Sequence, residues 1–407
     1  MDTIFGEQNR IGIVSVVHKP EGRNQEKFFG TSNEFLLVYA FNKSKANFNN
    51  VVIDEELKER FDLEDDKGKY RLKNFIRMTD GKYSLRESKP HFFYPIYVSK
   101  DLKSFSLNKK AGYAETTPTT EKGVERTWKT TKETFVKLAE QGDIVAIKES
   151  HGVVLYEKLR ENQVIKTHWI KKEYNAYHFG TKTLEEILGS KQFDFPKSVH
   201  LISDIIKLMT KPNSIVLDFF VGSGTTGHSV LQVNKEDGGN RSFIAVTNNE
   251  NKICEEVTYP RLEKVIKGYK GKSGNIVPGL GGNLNYFKTS FLKKSLNADE
   301  MKIRVTENCV DLLCFKEGIF NEEHSTSDSY KIFKKGDKVL GIYNSFDYGD
   351  LLKLKNDLDN YEESIKKVYV FTFDNSGLNP NDFLDWKNVE LEPIPRKILE
   401  IIGELYA

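Results

Sequence analysis

Three cysteines in 407 residues are too few for a disulfide framework, and Cys254, Cys309 and Cys314 lack the spacing of a zinc site. No apolar run approaches the roughly 20 residues of a membrane-spanning helix, and the first residues show no signal-peptide pattern. The expectation is a soluble, cytoplasmic, reduced protein with neither membrane nor metal. Internal repeats and low-complexity segments are also missing, which argues against a solenoid. The excess of one sign of charge is small, with 61 Lys+Arg against 59 Asp+Glu and a net of +2. It is unevenly placed, however. From Asn283 onward there are 17 Lys+Arg against 22 Asp+Glu, a net of −5, so the first 282 residues carry +7. A positive body suits contact with a polyanion, although ordinary surface scatter gives the same count.

What is present is enough for two or three domains with a substantial core. Residues 11–18 (IGIVSVVH) and 34–41 (EFLLVYAF) are β-branched and aromatic runs that read as a hairpin with a long polar loop. From about Asn42 to Tyr174 many charges and short apolar pieces predict a loop-rich inserted module with a few strands, among them IVAIKE and GVVLYEK. Helical periods appear at 183–189 and 199–209, followed by a buried strand, SIVLDFF, and a second one, SFIAVT. Strand, glycine-rich turn, helix and strand make a βαβ unit. Beyond GLGG (279–282) a separate small α/β alternation is expected. It has a helix near 298–315, strands YKIFK and VLGIYNSF, a helix near 350–361, the strand KVYVFTFD and a last helix from Pro395.

The strongest chemical signal is the stretch 216–227, VLDFFVGSGTTG. A buried strand ends in Asp218, Gly222 and Gly224 allow a tight turn against a ligand, and a helix starts directly afterwards, with Thr225 and Thr226 expected to cap it. A P-loop requires Lys and Ser/Thr after the last glycine, but His228 and Ser229 stand there, so that reading fails. A dinucleotide fingerprint is matched by Gly222-Ser-Gly224-Thr-Thr-Gly227, weakly on its own. A nicotinamide enzyme would also need an acid about 20 residues on, and Asp237 lies instead in the loop before the second strand.

The surroundings of this turn resemble a known family. Asp218-Phe-Phe-Val-Gly-Ser-Gly-Thr-Thr-Gly227 is similar to the S-adenosylmethionine loop of DNA amino-methyltransferases, D-x-F-x-G-x-G-T-T. The segment 193–202 (FDFPKSVHLI) resembles that family's motif just before the cofactor strand, and 177–182 (YHFGTK) and 238–269 (GGNRSFIAVTNNENKICEEVTYPRLEKVIKGY) resemble the modification subunits of type III restriction systems. So do 4–9, 34–40, 92–97, 123–128, 285–288, 312–318 and 393–395, which together extend the resemblance over essentially the whole chain. The resemblance implies an S-adenosyl-L-methionine site at Phe195, Lys197, Asp218, Phe220, Gly222, Gly224, Thr225 and Glu250. Ser198 stands where the family commonly has proline. The ribose acid is Glu250, or is replaced by Asn248 or Asn249.

In that family the catalytic motif, Asp-Pro-Pro-Tyr or a close variant, precedes the cofactor loop. Here all eleven prolines are isolated, and neither Lys211-Pro-Asn213 nor Tyr94-Pro-Ile-Tyr97 replaces the motif. No catalytic residue is therefore assigned. The expectation is an N-terminally shortened adenine-specific methyltransferase subunit that is inactive alone. The alternative is a catalytically silent DNA- and cofactor-binding fragment.

The fold implied is α/β: a Rossmann-like S-adenosylmethionine-dependent methyltransferase core, incomplete at its N-terminus, with an inserted target-recognition region and a small C-terminal α/β domain. Its expected parts are residues 1–55, an edge hairpin ending the catalytic half; 56–175, the DNA-reading region; 176–282, the cofactor half; and 283–407, the C-terminal domain. Residues 100–137 carry nine basic and five acidic side chains among interleaved aromatics. Lys109, Lys110, Arg126, Lys129 and Lys132 are the candidate DNA-phosphate contacts. The family also implies double-stranded DNA, a homodimer and a helicase-nuclease restriction subunit as partners.

Overall fold

Alternating residues in Arg10–Val17 and Asn33–Tyr39 pair as an antiparallel hairpin, with Val14 opposite Leu36. In the computed structural model the described residues are 1–394 apart from 23–26, 53, 80, 162–163, 273, 290, 292, 294, 296, 324, 363, 373–376 and 387. The helix expected from Pro395 lies outside them. The chain divides into two units, Met1–Leu284 and Asn285–Ala407.

In the first unit, one face of the hairpin buries Val14, Val16 and Val38, while Ile13, Phe35 and Leu37 of the other face are exposed. Residues His168–Trp169 add a short parallel strand beside Ser15–Val16, so the end of the expected recognition segment rejoins this sheet. The helix Val199–Met209 covers the buried face. Its Leu201 and Leu208 meet Val14, Val16 and Trp169, while its Ile206 packs on Val230 and Val233. One amphipathic helix thus anchors both the hairpin and the βαβ unit.

The βαβ unit is formed by Ile215–Asp218, the helix Thr225–Asp237 and Ser242–Ala245, with the two strands parallel and Val216 opposite Phe243. Period-two alternation turns Val216 toward the helices and leaves Ile215 and Leu217 exposed on the opposite face. Among the described residues these two strands form a sheet of their own.

The inserted segment is more ordered than a loop-rich reading suggests. Leu63–Asp65, Gly68–Asn74, Gly152–Arg160 and Ile144–Glu149 form a four-stranded sheet. Phe105–Ser106, Ile96–Val98 and Ala114–Thr116 form a three-stranded one. Phe75, Ile96, Trp128, Phe135 and Leu155 supply a separate core, and the Trp128 indole donates to the Tyr94 carbonyl at 2.8 Å. Aromatics scattered among charges conceal this core, because its residues come from several segments far apart in sequence.

The second unit holds a five-stranded sheet in the order Asn321–Glu323, Tyr330–Lys335, Lys338–Tyr343, Ile365–Val370, Val389–Pro393. Its first two pairings are antiparallel and its last two parallel. The helix expected near 298–315 is two helices, Ala298–Glu307 and Val310–Glu317. The break falls where the Asn308 side chain bonds the Arg304 carbonyl at 2.8 Å and ends the first helix.

Candidate cofactor site and nucleic-acid interface

The two parallel strands end side by side, and their C-terminal ends are where an open α/β unit binds ligands. After Asp218 the chain turns through Gly222 (φ 52°) and Gly224 (φ 81°), both in the left-handed region. Gly224 then opens the helix Thr225–Asp237, which no side chain caps, so its first N–H groups carry the positive end of the helix dipole. A Cβ on Gly227 would lie 2.8 Å from Leu262 and 3.1 Å from Phe243, so any larger residue would force these side chains to shift.

The turn is held from three sides. Asp218 accepts from the Phe220 backbone N–H at 3.0 Å and from the Thr226 hydroxyl at 2.6 Å. The Thr258 hydroxyl donates to the Gly222 carbonyl. Arg261 donates to the Ser223 carbonyl at 3.1 Å and to the Thr225 hydroxyl at 3.0 Å. Thr258 and Arg261 come from the helical segment after the second strand. Sequence reasoning gives these two no role, because an arginine in a charged helix reads as a surface cation.

A cleft of about 500 Å³ opens beside the turn, lined by Lys191, Phe193, Asp194, Glu250, Asn251 and Val257 among others. Glu250 is exposed at its edge and accepts from the Asn248 side chain at 3.3 Å. Asn249 is occupied, since its side-chain oxygen takes the Cys254 and Glu255 N–H groups at 3.1 and 3.3 Å. Phe193 approaches Gly222, at 3.4 Å from where a Cβ would stand. Phe195 and Phe220 are exposed at 74% and 93%, and Phe195 takes a left-handed φ of 59°. Neither is among the lining residues of the cleft, whereas Phe193, which sequence reasoning leaves aside, is one. Lys197 is engaged through its ammonium with Glu34, and its carbonyl lies 3.5 Å from the Thr225 hydroxyl. Ser198 has a structural use: its hydroxyl caps the helix Val199–Met209 and donates to the Glu173 carbonyl at 2.6 Å.

The candidate DNA contacts separate into two groups. Lys109, Lys110 and Lys132 are exposed. Arg126 is turned inward, bonding the Ser84 hydroxyl at 2.6 Å. Lys129 is paired with Glu157 at 3.1 Å, with only 18% and 20% side-chain exposure, and burial lowers its pKa. Lys129 also lines a second cleft with Lys73 and Arg77, two cations that the sequence does not single out. Among the described residues no cluster of His, Cys, Asp and Glu is arranged to hold a metal, and no helix is long and apolar enough to cross a membrane.

The DNA methylase family model for N6 and N4 methyltransferases matches residues 1–258. The Type II methyltransferase M.KpnI of Klebsiella pneumoniae is 32% identical over 252 residues, covering 61% of this chain and 58% of that protein. The Type III restriction-modification enzyme EcoPI Mod subunit of Escherichia phage P1 is 29% identical over 296 residues, 67% of this chain and 45% of its own. The EcoP15I Mod subunit of Escherichia coli is 25% identical over 276 residues, 61% and 40% respectively. The chain thus spans about half the length of the curated relatives it matches. The glycine turn at the end of the first parallel strand lies within the matched residues, and the chain belongs to the DNA methylase family.

Proposed function

We propose that this chain is a subunit of a site-specific DNA adenine methyltransferase of a type III restriction-modification system, with S-adenosyl-L-methionine as methyl donor. The observation that carries the reading is the left-handed Gly222–Gly224 turn beside a cleft at the ends of two parallel strands, inside the family match. The residues present fit such a cofactor. The uncapped helix start offers N–H groups to a carboxylate, and Glu250 at the cleft edge is an acceptor for ribose hydroxyls. Asp218 and Thr225 shape the turn from behind, and Phe193 replaces Phe195 as the aromatic wall.

When bound, the cofactor would supply an electrophilic methyl group. The chain's own contribution is to fix the ligand in a Rossmann-like half and to present cations to the DNA backbone from the inserted segment, within 56–175. Its 407 residues hold no acid-Pro-Pro-aromatic set to orient an adenine amine, so this chain binds cofactor and DNA but does not transfer methyl alone. The relatives named as Mod subunits of type III restriction-modification enzymes support a further subunit of such a system as partner. The test is calorimetric titration with S-adenosylhomocysteine. Micromolar binding that is lost in G224V supports the reading, and no binding by the wild-type chain sinks it.

A further inference from the structure

Arg261, on the helix Tyr259–Lys267, has no solvent exposure. Its Nη1 donates to the carbonyl and hydroxyl of Ser223, each at 3.1 Å, and to the Thr225 hydroxyl at 3.0 Å. Its Nη2 lies 3.2 Å from Nδ1 of His228. A guanidinium has no lone pair to offer, so Nδ1 must accept, which makes His228 the neutral tautomer protonated on Nε2. Every partner that the described residues give Arg261 is neutral, and its Nε finds none.

A buried cation normally has its counter-charge beside it, because desolvation is otherwise uncompensated. Here the charge stands directly behind Ser223 and Thr225, at the uncapped start of the helix Thr225–Asp237. Helix dipole and guanidinium therefore add at one short stretch of the turn. Asp218 is committed on the strand side to Phe220 and Thr226.

We infer that Arg261 is a specificity-determining positioning residue, whose buried charge makes the glycine turn select ligands carrying a carboxylate at their amino-acid end. The inference rests on the cofactor reading above. The ligand's carboxylate is the counter-charge that the protein omits, and a nucleoside without it gains nothing from the arginine's charge.

The experiment is calorimetric titration of the wild-type chain with three ligands. S-adenosylhomocysteine has both carboxylate and ammonium, 5′-methylthioadenosine has neither, and decarboxylated S-adenosylhomocysteine keeps only the ammonium. The expected order of affinity is S-adenosylhomocysteine tightest by tenfold or more, methylthioadenosine next, and the ammonium-only ligand weakest. R261M also removes a brace of the turn and should weaken both ligands, but S-adenosylhomocysteine several-fold more, so that the first gap shrinks to under threefold, and R261K should restore most of that gap. Equal losses for S-adenosylhomocysteine and methylthioadenosine in R261M would mean a merely structural arginine and would overturn the inference. Where R261M does not fold, the wild-type series decides: an ammonium-only ligand that binds as well as methylthioadenosine overturns it. S-adenosylhomocysteine binding without carboxylate preference removes only this inference. No binding of S-adenosylhomocysteine removes the cofactor reading as well.

Discussion

The Asp218 carboxylate accepts the Thr226 hydroxyl at 2.6 Å, across the turn that separates them in sequence. The acid that ends the first strand is thereby tied to the first turn of the following helix, and its other oxygen takes the Phe220 N–H at 3.0 Å. This makes Asp218 a strut of the glycine turn. Replacing Thr226 by valine removes one hydrogen bond to a charged acceptor, worth about 1.5–3 kcal/mol. T226V should weaken S-adenosylhomocysteine binding by about 10-fold or more, and D218A by more still, since it frees Phe220 too. Calorimetry of both variants checks the order, and equal wild-type affinity in D218A would remove the strut.

Burial, followed by the charges of Arg261 and His200, holds the His228 pKa down to about 3. In the unfolded chain the imidazole takes a proton below about pH 6.5. Between these values the unfolded state binds more protons, so stability rises with pH and is lost as pH falls from 6.5 toward 3. The slope approaches about 1.4 kcal/mol per pH unit for this group well below pH 6.5. Urea unfolding at pH 5, 6 and 7 should show a smaller pH dependence in H228Q than in the wild type. The same dependence in both would place the acid sensitivity elsewhere.

Among the DNA candidates, the two groups predict different phenotypes. K129E sets a second carboxylate against Glu157 in a half-closed site and should lower the melting temperature by several degrees. The triple variant K109E/K110E/K132E touches exposed cations and should leave melting unchanged. It should weaken duplex binding and flatten the dependence of log affinity on log salt by about 0.9 for each phosphate that is no longer neutralised. A triple variant with wild-type affinity at low salt would show these lysines to be merely solvated.

Where the determinants are local, the fold is legible in the sequence. Alternation in 11–17 and 34–39, the glycines after Asp218 and the period of Val199–Met209 each specify their own element, and all stand where the residues put them. What stays hidden depends on distant partners. The core around Phe75 and Trp128 draws one to three residues from each of several separated pieces, so no window of sequence displays it. Arg261 and Lys129 belong to the residue types least expected inside. Their burial follows from Ser223, Thr225, His228 and Glu157, which lie 28 to 38 positions away. Sequence alone leaves Glu250, Asn248 and Asn249 as alternatives for one role. In the structure the Asn249 side chain is turned back onto Cys254 and Glu255, and that of Asn248 donates to Glu250.

Methyl transfer is the decisive assay. An exocyclic amine is a poor nucleophile while its lone pair is conjugated with the ring, and a fixed carboxylate and carbonyl must accept its hydrogens to free it. With every proline isolated, no segment of this chain offers that acid-Pro-Pro-aromatic arrangement. Loss of such positioning and electrostatic help costs roughly 100-fold to 10,000-fold in rate or more. The strand ending at Asp218 pairs only with Ser242–Ala245 among the described residues, and its Ile215 and Leu217 are exposed at 68% and 48%. A segment bearing the catalytic motif therefore has an uncovered sheet face on which to add. The chain should bind S-adenosylhomocysteine yet transfer no measurable label from S-adenosylmethionine to duplex DNA. Activity should appear when an Asp-Pro-Pro-Tyr segment from a related Mod subunit is fused or added in trans. Robust transfer by the chain alone would mean that other residues, still unidentified, activate the amine.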